Sequence, residues 1–135
     1  MSALTAAASS AMYATGWRAV RALPEPLARA VFTHGAARAV RRNGPAVRRL
    51  RGNLARVLGP GADPAELAEI VEAGVRSYAR YWLEAFRLPT WSTQRILDRM
   101  RLNNADRLFD AYAAGNGVIC ALHHSANWDH AGAWG

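Results

Sequence analysis

Between Ala121 and Gly132 the chain reads ALHHSANWDHAG, which places His123, His124, Asp129 and His130 around an Asn127-Trp128 pair. An imidazole gains and loses its proton near neutral pH, so a histidine here suits general-base work. A carboxylate beside it fixes the tautomer and raises the basicity. His124 and Asp129 are five positions apart, a poor match for one face of a continuous helix. Where a loop turns into a helix, a carboxylate in the first helical turn can fold back on the imidazole. Backbone N–H groups of such a turn can also face an anion or a developing oxyanion. Blander readings stand beside this one. The His124–Asp129 pair could cap a helix. Asn127 and Trp128 could shape a pocket, or equally serve as a helix-starting Asn and a packing Trp. His123, His124, Asp129 and His130 could ligate zinc, but their spacing fits no common zinc pattern, so no metal is expected.

The elements that must position these residues follow from periodicity. The cluster is preceded by Val118–Leu122, a short continuous apolar run bounded by turn residues, which reads as a strand buried on both faces. Cys120 within it reads as a small core residue. Loops that follow strands and lead into helices are where ligands bind in open α/β sheets. After the loop, "NWDHAGAW" starts a helix. Upstream, Met100–Leu102 reads as another short strand and Asn104–Ala114 as a helix ending in "GNG". Before these come helices only. The first spans about Leu4 to Leu23 and is broken by "LPEP". The second runs to about Arg42 and the turn "NGP". The third carries Val47, Leu50, Leu54, Val57 and Leu58 and ends at "GPG". "DPAE" starts the fourth, with Asp63 as cap and Pro64 in the first helical position. It continues to about Leu88 and carries a wide apolar stripe, including Ile70, Val71, Tyr78, Tyr81, Trp82 and Phe86, that is expected to be buried. Ser92 or Thr93 caps a short fifth helix through Leu97. The expected class is α/β. A helical region over about 1–98 feeds the start of an α/β sheet over 99–135, all within a single domain.

The bulk properties bound the function. All 17 basic residues are arginines, and the net charge is +7 over 135 residues. Such a chain favours an anionic partner, and arginine favours phosphate. The densest basic region holds Arg38, Arg41, Arg42, Arg48, Arg49 and Arg51. It reads either as a solvated face or as a contact for anionic lipid headgroups. Trp17 and Phe32 among arginines suit helices lying at an interface. No nucleic-acid-binding motif accompanies the charge. One cysteine excludes an internal disulfide, which fits a reducing compartment. The N-terminus lacks the pattern of a secretory signal peptide, and no window has the apolar length of a membrane span.

The motif His124-x-x-x-x-Asp129 inside "HSANWDHAGAW" resembles the HX4D motif of the glycerolipid and lipid A type acyltransferases. "YATGWRAVRALPEPLARAVF", "RRLRGNLARVLG" and "SYARYWLEAFRLPT" resemble the N-terminal half of actinobacterial phosphatidylinositol mannoside acyltransferases. The resemblance runs from about Met12 to Trp134. It implies transfer of a fatty acyl group from acyl-CoA, a co-substrate, to a mannose hydroxyl of phosphatidylinositol mannosides. It implies no cofactor and no metal. By carry-over His124 is the base and Asp129 orients it. Asn127, Trp128, Tyr81 and Trp82 are expected on the substrate, the last two in an acyl groove. The implied place is the cytoplasmic face of the plasma membrane, peripherally bound to an anionic surface, with no nucleic acid. The chain departs from the pattern at His123, where proline is usual, at Ala126, where glycine is usual, and at His130, where an apolar residue is common. Family members are much longer. The resemblance therefore implies that this is an N-terminal part, truncated before most of the sheet, and that alone it is inactive or nearly so. The competing expectations are a lipid A type acyltransferase with another acceptor and a non-catalytic basic membrane-surface module.

Overall fold

The structure is a computed structural model, and the residues it describes are 3–121 and 126–135. Its elements are α1 (Ala3–Ala22), α2 (Glu25–Arg42), α3 (Pro45–Leu58), α4 (Pro64–Arg87), a single 3-10 turn (Leu88–Thr90), α5 (Thr93–Asp98), α6 (Ala105–Ala113) and α7 (Trp128–Trp134). The boundaries follow from local chemistry. Asn43 ends α2 in the left-handed conformation (φ 44°, ψ 46°), and its N–H closes on Ala39 O and Val40 O. Gly59 ends α3 with φ 88°. The Asp63 carboxylate accepts from Ala65 N (3.0 Å), with Pro64 in the first helical position. The Ser92 hydroxyl accepts from Arg95 N (3.2 Å) and starts α5.

Two compact units result, Met1–Pro89 and Thr90–Gly135. In the first, α4 is the hub, with α1, α2 and α3 all packed on it. Ala28 and Ala36 are buried on one face of α2, and their small side chains admit α4 closely. Val47 of α3 and Val71 and Leu83 of α4 complete the buried set. Gly74 serves the same close approach: a Cβ there would stand 3.3 Å from Leu50 Cδ2. An aromatic cluster caps this core. Phe86 touches Trp17 (ring centroids 5.7 Å), Phe32 (6.4 Å) and Trp82 (5.4 Å).

At the ends of α1 and α4 two helix C-termini satisfy one another. Trp17 Nε1 and Arg21 Nε donate to Phe86 O at 2.9 and 3.1 Å. In return Arg87 Nη1 donates to Val20 O and Leu23 O, both at 2.8 Å. The last carbonyls of a helix have no partner inside it, and cations suit that end of the helix dipole. This exchange meets both needs at once.

Two expectations need correction. The apolar stripe of α4 is not buried as a whole: Val71 and Leu83 are, but Tyr78 is 63% exposed and Trp82 stands partly open. The stripe is wider than the surface that α1–α3 cover. The strands at Met100–Leu102 and Val118–Leu122 are also absent among the described residues, which contain helices and irregular segments only. Ile119 is 98% exposed and Cys120 is exposed rather than in a core. Leu122 lies outside the described residues. A strand exists through hydrogen bonds to a neighbouring strand, and an apolar run without one has no ladder to join. The helical half of the α/β expectation is what the structure contains; the start of the sheet is not present among the described residues.

Replacing Arg87 by Ala is expected to lower stability by about 2 kcal/mol, because charge-assisted bonds to two helix-end carbonyls are lost. Urea unfolding followed by circular dichroism measures it. Arg87→Lys is expected to recover only part of the loss, since one ammonium lacks the guanidinium's fixed fork.

Candidate active site

The second unit carries the histidine- and aspartate-bearing segment. The chain enters α7 through Ala126, which holds a left-handed backbone (φ 51°). A residue with a Cβ pays about 1 kcal/mol for that conformation, and glycine does not. Asn127 is the N-cap of α7, and its Oδ1 accepts from His130 N at 3.0 Å. Of the two readings open for Asn127, the structure shows the helix cap. Trp128 is the first residue of α7 and is 37% exposed. Asp129 falls in the first helical turn and is half-buried.

His130 anchors the helix. Its Nε2 lies 3.0 Å from Ile96 O in α5. A carbonyl oxygen can only accept, so the ring nitrogen donates. The His130 ring also meets Trp91 edge-on, with centroids 5.4 Å apart at 84°. Trp91 is covered by the guanidinium groups of Arg95 (4.5 Å) and Arg99 (5.3 Å). This Trp91–Arg95–Arg99–His130 arrangement is not legible in the sequence, apart from the helical spacing of Arg95 and Arg99.

Asn127, Trp128 and Asp129 are thus brought together at the start of α7. His123 and His124 lie outside the described residues. The metal-ligand reading falls partly on them, and among the described residues no cluster of three or more His, Cys, Asp or Glu stands ready for a metal. Tyr81 and Trp82 belong to the first unit, where their rings are 5.4 Å apart on α4. Trp82 lines a groove of about 450 Å³ with Val31, Phe32, Tyr78 and Phe86, and its walls are almost wholly apolar. Tyr81 is not among the residues lining it. A second groove, of about 410 Å³, lies between α2 and α4 and is bordered by Arg29, Arg76 and Arg80 over Phe32 and Leu83. Each of these arginines pairs with a glutamate four residues away on its own helix. Such exposed pairs contribute little to stability. No helix among the described residues is long and apolar enough to cross a membrane.

The profile of the bacterial lipid A biosynthesis acyltransferases matches residues 2–134. The chain belongs to that family. Two relatives sharpen the assignment. The chain is 49% identical over 123 residues to a phosphatidylinositol mannoside acyltransferase of Mycolicibacterium smegmatis, covering 90% of this chain and 39% of that protein. It is 48% identical over 138 residues to the protein of that name in Mycobacterium tuberculosis, covering 98% and 42%. The acyltransferase family member described here therefore spans about two-fifths of the length of the curated relatives it matches, and corresponds to their N-terminal part. No solved structure matches it.

Ala126→Gly is expected to stabilise the entry to α7 by about 1 kcal/mol, and Asn127→Ala to destabilise it by a similar amount. Amide hydrogen exchange over residues 130–134 reads both, as slower and faster exchange respectively.

Proposed function

We propose that this chain supplies the catalytic loop and helical scaffold of an acyltransferase that moves a fatty acyl group from acyl-CoA to a mannose hydroxyl of phosphatidylinositol mannosides. The observation that carries this reading is the 48–49% identity to phosphatidylinositol mannoside acyltransferases across nearly the whole chain, a match that includes the HX4D segment. His124 takes the proton from the mannose hydroxyl. The freed oxygen attacks the thioester carbonyl, the C–S bond breaks, and the departing CoA sulfur receives the proton. Asp129, half-buried in the first turn of a capped helix, holds the imidazole in the tautomer that leaves its accepting nitrogen toward the hydroxyl. In this reading acyl-CoA enters as a co-substrate and no cofactor takes part. The apolar groove beside Trp82 suits an acyl chain by its lining, with the Tyr81 ring set edge-on against Trp82 as support.

The same reading places the protein on an anionic membrane surface, at the cytoplasmic face, where acyl-CoA is available. Support comes from charge. From Pro26 to Ala62 there is no Asp or Glu, while the span includes Arg38, Arg41, Arg42, Arg48, Arg49 and Arg51. All but Arg51 are exposed. Near an anionic leaflet each contributes roughly 1 kcal/mol. Trp17 does not lie free for insertion, being tied to Phe86 O, but Met12 and Tyr13 on the same helix are open to solvent.

The test is a chimera in which this chain replaces the matched segment of the Mycolicibacterium smegmatis relative, assayed for acyl transfer to phosphatidylinositol mannoside. His124→Ala and Asp129→Asn are each expected to cost about 10²-fold or more in kcat. Unchanged rates would remove the dyad. Activity only on a lipid A type acceptor would reassign the substrate. The 135-residue chain alone is expected to show no transfer, and transfer that His124→Ala abolishes would show that it suffices. In flotation with phosphatidylinositol-containing vesicles, Arg38→Gln, Arg41→Gln and Arg42→Gln together are expected to weaken binding by about a hundredfold at low salt. Neutral vesicles are expected not to bind.

A further inference from the structure

His130 follows directly on Asp129, and its side chain ties α7 to α5 of the same unit. The reason lies in α5. This helix has six residues, so its last carbonyls find no partner along the helix. The N–H of Met100, which would serve Ile96 O in a longer helix, goes instead to Leu97 O at 3.1 Å. Ile96 O is therefore left for a donor from elsewhere, and His130 Nε2, 34 residues away, fills the place at 3.0 Å.

We propose that His130 is a positioning residue for Asp129. It sits one position after that aspartate in a helix of seven residues. Its backbone N–H is held by the Asn127 cap, and its ring is held by Ile96 O and the edge of Trp91. Both ends of His130 are thus pinned, and the first turn of α7 is pinned with it. A helix this short does not keep its own register in water, so its orientation is set by what it docks on. An apolar side chain at this place would pack against Trp91 but would leave Ile96 O without its donor. The bond also survives protonation of the ring, because Nε2 carries a proton in the cation and in the tautomer that a carbonyl selects. The donor is thus held whether the ring is charged or neutral.

The inference rests on the dyad reading of Asp129, and two measurements separate the two. In the 135-residue chain, amide exchange of residues 131–134 is recorded for the parent, His130→Phe and His130→Gln, and the ring nitrogen chemical shifts of His130 are recorded for the parent. Phe keeps the ring and loses the donor; Gln places a donor near the position of Nε2. The expected result is an Nε2–H signature in the parent, at least tenfold faster exchange in the Phe variant and near-parent exchange in the Gln variant. Equal exchange in all three overturns the anchor. In the chimera described above, His130→Phe is expected to lower kcat about tenfold with KM within twofold, and Gln to restore it. Faster exchange in the Phe variant with an unchanged kcat overturns the positioning role, leaving a structural contact. Asp129→Asn at the parent's rate overturns the dyad reading and the positioning role with it, while the exchange result still decides whether His130 holds α7.

Discussion

The helical unit depends on the carbonyls at the ends of its helices. A helix terminus presents acceptors that its own backbone cannot fill, and burying them unfilled costs more than most single contacts return. Here Arg87, Trp17 and Arg21 settle the matter for α1 and α4 together: each helix supplies the donors that the other's end requires. Phe86 stands at the junction, its carbonyl accepting two of these bonds and its ring joining Trp17, Phe32 and Trp82. The buried apolar set is small, so a directional polar lock carries weight that a larger core would make unnecessary.

The same constraint recurs in the second unit in miniature. The short α5 leaves Ile96 O open, and His130 answers it. Trp91 turns one part of its ring to the histidine while Arg95 and Arg99 cover it. The Asn127 cap, the His130–Ile96 bond and the Trp91 ring contact all hold the segment that carries Asp129. Polar anchoring of this kind defines direction as well as distance, which apolar packing does poorly. Chemistry that depends on the angle between a carboxylate and an imidazole gains from it.

How much of this could be read in advance differs between elements for physical reasons. The helix limits were legible because they are local. Asp63-Pro64, Asn43-Gly44-Pro45 and Ser92 act through their own φ/ψ and their own side chains, within three residues of the boundary. The candidate strands were not, since Val118–Leu122 has the composition of a buried strand but a strand is a relation between two segments. Ile119, apolar and almost fully exposed, shows composition without the relation. The stripe on α4 was legible as a stripe; which part of it would be covered depended on three other helices. At the site, the spacing of His124 and Asp129 was plain in the chain. The cap formed by Asn127 was one of two readings and needed the backbone to decide it. The partner of His130 had no trace in the sequence, because nothing local relates it to Ile96.

The sequence by itself determined where helices start and stop, the dense basic span between Pro26 and Ala62, the HX4D motif and membership of an acyltransferase family. These are properties of neighbours along the chain, and short-range sterics, capping and composition suffice to set them. Tertiary structure alone decided which apolar residues are covered, which helix-end carbonyls meet which arginines, and that the His130 ring joins the helix bearing Asp129 to Ile96 O. Those outcomes join residues that are distant in the chain, and only the folded arrangement brings an unfilled acceptor and a spare donor within 3 Å of each other.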